Sequence, residues 1–186
     1  LRGRGFDEET IDYWQLGYVL DPLPGHERFK GYLSIPYLTR AGTVAMKFRC
    51  IKHEQCEGHP KYDSESGAGT YLFGAQSFWV DSAVLCVCEG ELDAIACSMA
   101  GLPAVGIPGG NKWQPHWRYC FEGYEEILVL QDGFKEGDRA RDRFASNVMS
   151  ACDHSRVVEF EPGEDVNSYL VKHGPEGLRL KVLGHE

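Results

Sequence analysis

The sequence lacks any apolar run that approaches the ~20 residues of a membrane span. It also lacks a secretory signal pattern, and its seven cysteines are odd in number and irregular in spacing, unlike a secreted disulfide framework. The P-loop of motor ATPases is missing as well. These absences predict a chain from a cytoplasm-like compartment with no membrane partner and no helicase motor. Because the first residue is Leu1 rather than Met, we expect that something upstream has been removed.

An excess of positive charge is also lacking. The formal net charge is −9, and most of the acidic residues lie after residue 80. A catalytic domain that collects carboxylates to hold cations has such a composition, and so does an ordinary solvated acidic surface, which is commoner. Hydrophobic residues make up 42% of the chain, which favours a packed core over disorder.

Short apolar strands alternate with helical patterns in residues 81–186, which predicts a parallel α/β sheet flanked by helices. The predicted strands are Val84–Cys88, Pro103–Ile107, Ile127–Leu130 and Arg156–Phe160. The predicted helices are Leu92–Ala100, Lys112–Phe121, Glu136–Cys152, Val166–His173 and Pro175–Leu183.

Residues 1–80 have a different pattern. Glu8–Leu16 is predicted to be a short helix, and Tyr32–Tyr37 and Thr43–Arg49 are predicted strands joined by a turn. The sequence therefore predicts two domains, a smaller α+β subdomain in residues 1–80 and the α/β domain in residues 81–186.

Acidic residues follow three of the predicted parallel strands. They are Glu89 and Asp93 after the first strand, Asp132 after the third, and Asp165 after the fourth. The neutral amide Asn167 lies two residues after Asp165. Residues that follow parallel strands meet at the carboxyl edge of the sheet, where α/β folds bind ligands. Oxygen ligands gathered there suit Mg²⁺ or Mn²⁺. The alternative is that Glu91 and Asp93 merely favour the N-terminus of a helix.

The segment Glu89-Gly90-x-x-Asp93-Ala94 resembles the first motif of TOPRIM domains. The segment that begins at Asp132 resembles their second motif, and Asp165-x-Asn167 followed by Ser-Tyr-Leu resembles the third acidic segment of bacterial primases and Twinkle-like helicase-primases. TOPRIM motifs alone leave topoisomerases, nucleases and recombination proteins open.

The first half narrows that choice. Its short segments resemble, in order and spacing, those of the DnaG-type primase polymerase core; they are Arg4-Gly5-Phe6, Glu9-Thr10-Ile11, Leu16-Gly17-Tyr18, Ile35-Pro36, Phe48-Arg49, Pro60-Lys61-Tyr62 and Leu72-Phe73-Gly74. The resemblance covers about residues 1–173.

The resemblance implies a TOPRIM catalytic domain preceded by the basic-type subdomain of a primase core. It implies a DNA primase, a nucleotidyltransferase that makes short RNA primers on single-stranded DNA from ribonucleoside triphosphates. The implied metal ligands for Mg²⁺ or Mn²⁺ are Glu89, Asp93, Asp132, Asp165 and Asn167, of which Glu89, Asp93 and Asp132 are the catalytic group.

The same resemblance implies that Arg49, Lys61 and Tyr62 contact nucleotide or template, with Arg4 in a supporting role. The alternative for Arg49 and Lys61 is an exposed solubilising charge. Lys47 is interpreted as a plain surface residue.

The primase zinc ribbon is absent, so the implied partners include a separate zinc-binding module and a replicative helicase in a bacterial host. A phage source is also suggested.

One position departs from the family pattern. Phe134 stands where the second motif has its second Asp, and a phenyl ring does not ligate metal. We therefore expect one metal site to be weakened or lost, as in a natural single-metal variant, an engineered substitution or a degenerate enzyme. A metal-dependent nuclease and a catalytically weakened binding module remain the alternative functions.

A second departure is the series Cys50, His53, Cys56 and His59. These residue types suit structural Zn²⁺, but the spacing does not match a standard finger or knuckle. A reduced polar loop is the favoured interpretation.

Overall fold

A computed structural model describes residues 1–52, 56, 58–109, 112–133 and 139–184, with the side chains of residues 139–141 outside the description. Phe134 and His53, both singled out by the sequence, lie outside these ranges. The chain divides into two compact units: an antiparallel unit, Asp7–Gly69, and a parallel unit made of Leu1–Phe6 and Thr70–Glu186. The boundary that we predict near residue 80 remains a prediction about domain organisation.

The antiparallel unit is built on a four-stranded antiparallel sheet in the order β1-β2-β3-β4. Its elements are α1 (Glu8–Tyr13), β1 (Gly17–Tyr18), a 3₁₀ turn (Glu27–Phe29), β2 (Tyr32–Thr39), β3 (Gly42–Cys50) and β4 (Tyr62–Ser64). A small core lies on this sheet, where the rings of Phe29 and Phe48 stack with centroids 3.8 Å apart. This arrangement confirms the expected α+β character of the first half.

Helix α1 is shorter than the sequence predicts. The carboxylate of Asp7 accepts from the backbone N–H of Thr10 and fixes its start. The helix ends at Tyr13, and Gln15 has a positive φ of 51°, which is incompatible with helix continuation to Leu16.

The parallel unit contains a four-stranded parallel sheet in the order β6-β5-β7-β8. Its elements are β5 (Val84–Cys88), α2 (Glu91–Met99), β6 (Ala104–Gly106), β7 (Glu126–Gln131), α3 (Arg139–Ala151), β8 (Ser155–Glu159) and α4 (Val166–Leu183). Short 3₁₀ turns occur at Arg2–Arg4, Ala75–Trp79 and Pro115–Cys120. The predicted parallel sheet flanked by helices is therefore confirmed.

One of the predicted helices is not formed in the structure, and two others are confirmed. The α-helix predicted at Lys112–Phe121 is wrong, because only a 3₁₀ turn forms at Pro115–Cys120, with Pro115 at its start. The two helices predicted at Val166–His173 and Pro175–Leu183 are confirmed, because α4 consists of two helices joined at a kink at Gly174, whose φ of 72° and ψ of 175° are not helical.

The core of the parallel unit centres on β5 and β7. Leu85, Val87, Ile127 and Val129 are fully buried and pack in one cluster with Phe144 of α3. Continuous apolar strands of this kind are typical of a sheet covered on both faces. None of the helices in the described ranges combines the length and the apolar character that a membrane-spanning segment needs.

Gly106, at the end of β6, is in close contact with the turn between β5 and α2. A Cβ at this position would lie 2.7 Å from the carbonyl oxygen of Gly90, a backbone atom. We therefore expect Gly106→Ala to lower the free energy of unfolding by about 1–3 kcal/mol, the range for overpacking, measured by urea denaturation. Gly3→Ala, where a Cβ meets nothing within 4 Å, is the control, and equal effects of the two substitutions would contradict this explanation.

Candidate acidic site at the edge of the parallel sheet

The carboxyl ends of β5 and β7 bring two of the acidic segments to one place. The two strands are parallel neighbours, and their register pairs Cys88 with Leu130. Glu89, the first residue after β5, therefore lies beside Gln131, the last residue of β7. Asp132 follows Gln131 in the chain. The sheet register accounts for this proximity without any special loop geometry.

Gly90 contributes space at this edge rather than an unusual backbone conformation. The sequence favours a glycine here for a sharp turn, but Gly90 has φ −150° and ψ 169°, an extended conformation open to any residue. A Cβ at Gly90 would lie 3.2 Å from Oδ2 of Asp93. The glycine therefore leaves room for the Asp93 carboxylate in the first turn of α2.

Asp93 lies close to the acidic groups of the other two segments. Burial raises the pKa of Asp93 to about 8, with further upward contributions from Asp132 and Asp165; the backbone N–H of Asn167 and the charge of Arg4 act in the opposite direction. The thiol of Cys88, the last residue of β5, also has a pKa raised to about 11, first by burial and further by Asp93 and Asp132. Acidic groups from three segments thus act on one another at this edge.

The turn after Asp132 is held against the turn that precedes α4. The backbone N–H of Gly133 donates to the carbonyl of Glu164 at 2.8 Å. A Cβ on Gly133 would lie 1.8 Å from the carbonyl oxygen of Glu161, so only glycine fits at this contact. This backbone contact holds Asp132 close to the start of α4, where Asp165 lies.

Asp165 has a structural role at the start of α4. Its carboxylate accepts from the backbone N–H of Ser168 at 2.6 Å, and the Ser168 hydroxyl accepts from the backbone N–H of Asp165 at 2.8 Å. This reciprocal pair is a capping box. One carboxylate oxygen therefore serves the helix, while the charge of Asp165 still raises the pKa of Asp93.

Asn167 links the N-terminus of the chain to Asp93. Its side-chain oxygen accepts from Nη1 of Arg4 at 2.9 Å, and its amide nitrogen donates to the carbonyl of Arg4 at 2.9 Å. Its backbone N–H donates to Oδ1 of Asp93 at 3.3 Å. Asn167 is only 3% exposed, so the structure gives it a bracing role that the sequence motif did not indicate.

Three of the predicted nucleotide-binding residues, Arg49, Lys61 and Tyr62, lie in the antiparallel unit, whereas Arg4 lies in the parallel unit. Arg49 and Tyr62 are register partners on β3 and β4, and Nη1 of Arg49 donates to the Tyr62 hydroxyl at 2.7 Å. The backbone carbonyl of Lys61 accepts from the N–H of Cys50 at 2.9 Å, which places Lys61 directly beside this pair.

The sequence interpretation missed Lys47. Its Nζ lies 4.8 Å from the centroid of the Tyr62 ring, and Cζ of Arg49 lies 5.2 Å from the same centroid. Two-residue spacing places Lys47 and Arg49 on the same face of β3, and this alternation was the available signal. The structure thus forms a cation–aromatic group of Lys47, Arg49 and Tyr62.

Comparison with known proteins gives the class of this fold. Residues 86–170 match a protein-family model described as Toprim-like, and this range runs from β5 into α4. The Aquifex aeolicus primase, solved with its zinc-binding and RNA polymerase domains, superposes with a TM-score of 0.76 at 21% identity over 98% of this chain and 54% of that chain. A DnaG primase catalytic domain bound to single-stranded DNA gives a TM-score of 0.73 at 21% identity over 99% of this chain and 72% of that chain. The fold is that of a DnaG-type primase catalytic core with a Toprim-like domain.

Sequence relatives support the same class and identify the family. The chain is 32% identical to the Gene 57 protein of Mycobacterium phage D29 over 155 residues, which are 83% of this chain and 99% of the phage protein. It is 22% identical to the DNA primase of Geobacillus stearothermophilus over 95% of this chain but only 35% of that enzyme. The chain belongs to the family of the phage D29 Gene 57 protein.

The raised pKa of Asp93 predicts how stability without metal depends on pH. The folded state keeps the proton up to about pH 8, whereas an unfolded Asp releases it near its ordinary value of 3.8. Folding therefore binds a proton in this window, and stability must fall as pH rises from about 4 to about 8. We expect the Tm to decrease across this range in EDTA, followed by circular dichroism.

Asp93→Asn provides the matched comparison, because it removes the titrating group and keeps the shape. The variant should show a flatter pH dependence, and divalent metal should raise the Tm of the natural chain most at high pH. An unchanged slope in Asp93→Asn would show that another group carries the pH dependence.

Proposed function

We propose that this chain is the catalytic core of a DNA primase, which synthesises short RNA primers on single-stranded DNA from ribonucleoside triphosphates. One observation carries the proposal: Asp93 interacts with Asp132 and Asp165 at the carboxyl edge of a parallel sheet, in a chain with the fold of primase cores. Phosphoryl transfer depends mainly on positioning and on offsetting spread negative charge, and a cleft of carboxylates is suited to hold the cations for that task.

The donor set fits Mg²⁺ or Mn²⁺. Carboxylate oxygens are the ligands that these hard cations prefer. Burial, and after it the charges of Asp132 and Asp165, raise the pKa of Asp93, and a nearby cation would lower it. In this proposal Glu89, Asp93, Asp132 and Asp165 hold the metal, which when bound supplies positive charge to the triphosphate oxygens.

Asn167 and Arg4 position this acidic group. Both side-chain amide atoms of Asn167 are hydrogen-bonded to Arg4, and the guanidinium of Arg4 lowers the pKa of Asp93. We therefore assign Asn167 to bracing Arg4 and Asp93, beside the metal-ligand role that the sequence motif implies. Arg4 offsets part of the negative charge when no substrate is present.

The cation–aromatic group of the antiparallel unit contributes to binding template or nucleotide. Lys47 and Arg49 supply positive charge for phosphates, and the Tyr62 ring offers a face on which a base can stack. Lys61 adds a further charge next to this group. In the same proposal, a separate zinc-binding primase module and a replicative helicase are partners, and the site of action is the cytoplasm of a bacterial host.

Substitution of Glu89 tests the proposed chemistry. We expect Glu89→Gln to lower incorporation of labelled ribonucleotides on single-stranded DNA by about 100-fold or more, because one charged oxygen ligand is lost from the cation site. Glu122→Gln, on an exposed loop, is the charge-matched control and should retain activity. Circular dichroism of both variants should match that of the natural chain.

The same assay separates the alternative functions. Cleavage of DNA without incorporation would favour a TOPRIM nuclease. The Phe134→Asp variant restores the acidic residue of the family motif. Higher primer synthesis by this variant than by the natural chain would favour a catalytically weakened protein. The absence of labelled oligomers from both the natural chain and Phe134→Asp, alone and with a zinc-module partner, would reject the primase proposal.

Salt dependence tests the cation–aromatic group. Each lost phosphate contact should reduce the slope of log affinity against log salt by about 0.7 for single-stranded DNA. We expect Arg49→Gln to produce that reduction in fluorescence anisotropy titrations. Lys30→Gln, an exposed cation of the same unit, should leave the slope unchanged, and the same loss in both variants would show only a general charge effect.

A further inference from the structure

A second group of metal-binding side chains lies in the antiparallel unit. One ligand atom from each of Cys50, Cys56 and His59 lies within 4.8 Å of the other two. Ligands around tetrahedral zinc are about 3.5–3.8 Å apart, given Zn–S near ~2.3 Å and Zn–N near ~2.0 Å. The three groups therefore need to close by only about 1 Å to surround one ion.

The sheet fixes two of these three residues. Cys50 is the last residue of β3 and is 4% exposed. It pairs with Tyr32 of β2, and its backbone N–H donates to the carbonyl of Lys61 at 2.9 Å. His59 lies two residues before Lys61 in the chain, so both ligands lie at the base of the connection between β3 and β4. Cys56 reaches them from within that connection.

The imidazole of His59 has the surroundings of a metal ligand. Its Nδ1 lies 3.1 Å from the carbonyl oxygen of Pro60 and 3.3 Å from the hydroxyl of Tyr32. If Nδ1 carries the proton and donates it to that carbonyl, the lone pair is on Nε2, and a hydrogen bond of this kind orients histidine ligands in many metal sites.

Zinc binds cysteine as the thiolate. Cys50 and Cys56 would therefore each release a proton when Zn²⁺ binds, as cysteine ligands do in structural zinc sites.

A metal here would strengthen a small unit. The hydrophobic cluster of the antiparallel unit contains Phe29, Tyr32, Phe48 and Cys50, with Cys56 packed against it. Units of this size often depend on a disulfide or a metal, because their apolar core is limited. A zinc site would fasten the β3–β4 connection to the sheet at the position where that core ends.

We propose that Cys50, Cys56 and His59 bind one structural Zn²⁺ ion. The sequence spacing favours an ordinary reduced loop, but the approach of three suitable ligand atoms in the folded unit favours zinc. This site is chemically distinct from the acidic edge, because thiolate and imidazole ligands select Zn²⁺ whereas carboxylates suit Mg²⁺ or Mn²⁺. The inference does not depend on the proposed primase activity.

Metal content measures this proposal directly. We expect the natural chain, purified with a reducing agent and then dialysed, to retain about one zinc per chain by plasma mass spectrometry. Cys56→Ser and His59→Asn should each retain almost none and should unfold at lower temperature. Cys120→Ser and His116→Asn, which change the same residue types outside the cluster, should keep the metal. Cys56 and His59 are chosen because they are less buried than Cys50.

Two further measurements distinguish the site from other sources of zinc. Cobalt substitution should give a thiolate charge-transfer band that disappears in Cys56→Ser. Asp93→Asn should keep its zinc, because the acidic edge is not the zinc site. Equal zinc content in Cys56→Ser and the natural chain, zinc loss only in Asp93→Asn, or a Cys50–Cys56 disulfide found by mass spectrometry under the same reducing conditions would overturn the proposal.

Discussion

Repulsion between carboxylates at one edge of the parallel sheet is the constraint on which the candidate site depends. Parallel register places the segments after β5 and β7 side by side, and the Gly133 contact draws the start of α4 to the same place. Burial, together with the charges of Asp132 and Asp165, raises the pKa of Asp93 to about 8. Such an arrangement is stable when a proton, a neighbouring guanidinium or a metal cation offsets the charge.

The contacts around this site explain how the fold holds it without filling it with apolar side chains. Gly90 and Gly133 have no Cβ at the two positions where one would meet the Asp93 carboxylate or a backbone carbonyl. Asn167 connects α4 to Arg4 and to Asp93 through three hydrogen bonds. The polar groups at this edge of the sheet are thereby held in place.

The two proposed metal sites follow from ligand chemistry. Oxygen ligands lie in the parallel unit and thiol and imidazole ligands in the antiparallel unit, so the hard and soft cations would not compete for one place. The acidic site gathers charge that is useful for chemistry, whereas the Cys50, Cys56 and His59 group joins a loop to a sheet. A catalytic role is therefore proposed for the first site and a structural role for the second.

Local pattern in the sequence determined the order of strands and helices, the parallel sheet and the acidic segments at its edge, because side-chain periodicity and strand ends are short-range features. The local pattern did not predict the 3₁₀ turn that begins at Pro115 within Lys112–Phe121. It also did not predict the contact of Lys47 with Tyr62, which lies on another strand. Only the tertiary structure decided that Asn167 braces Arg4, 163 residues away, and that Cys50, Cys56 and His59 meet. Contacts of this kind depend on how separate elements pack, and the local spacing of residues in the sequence does not determine that packing.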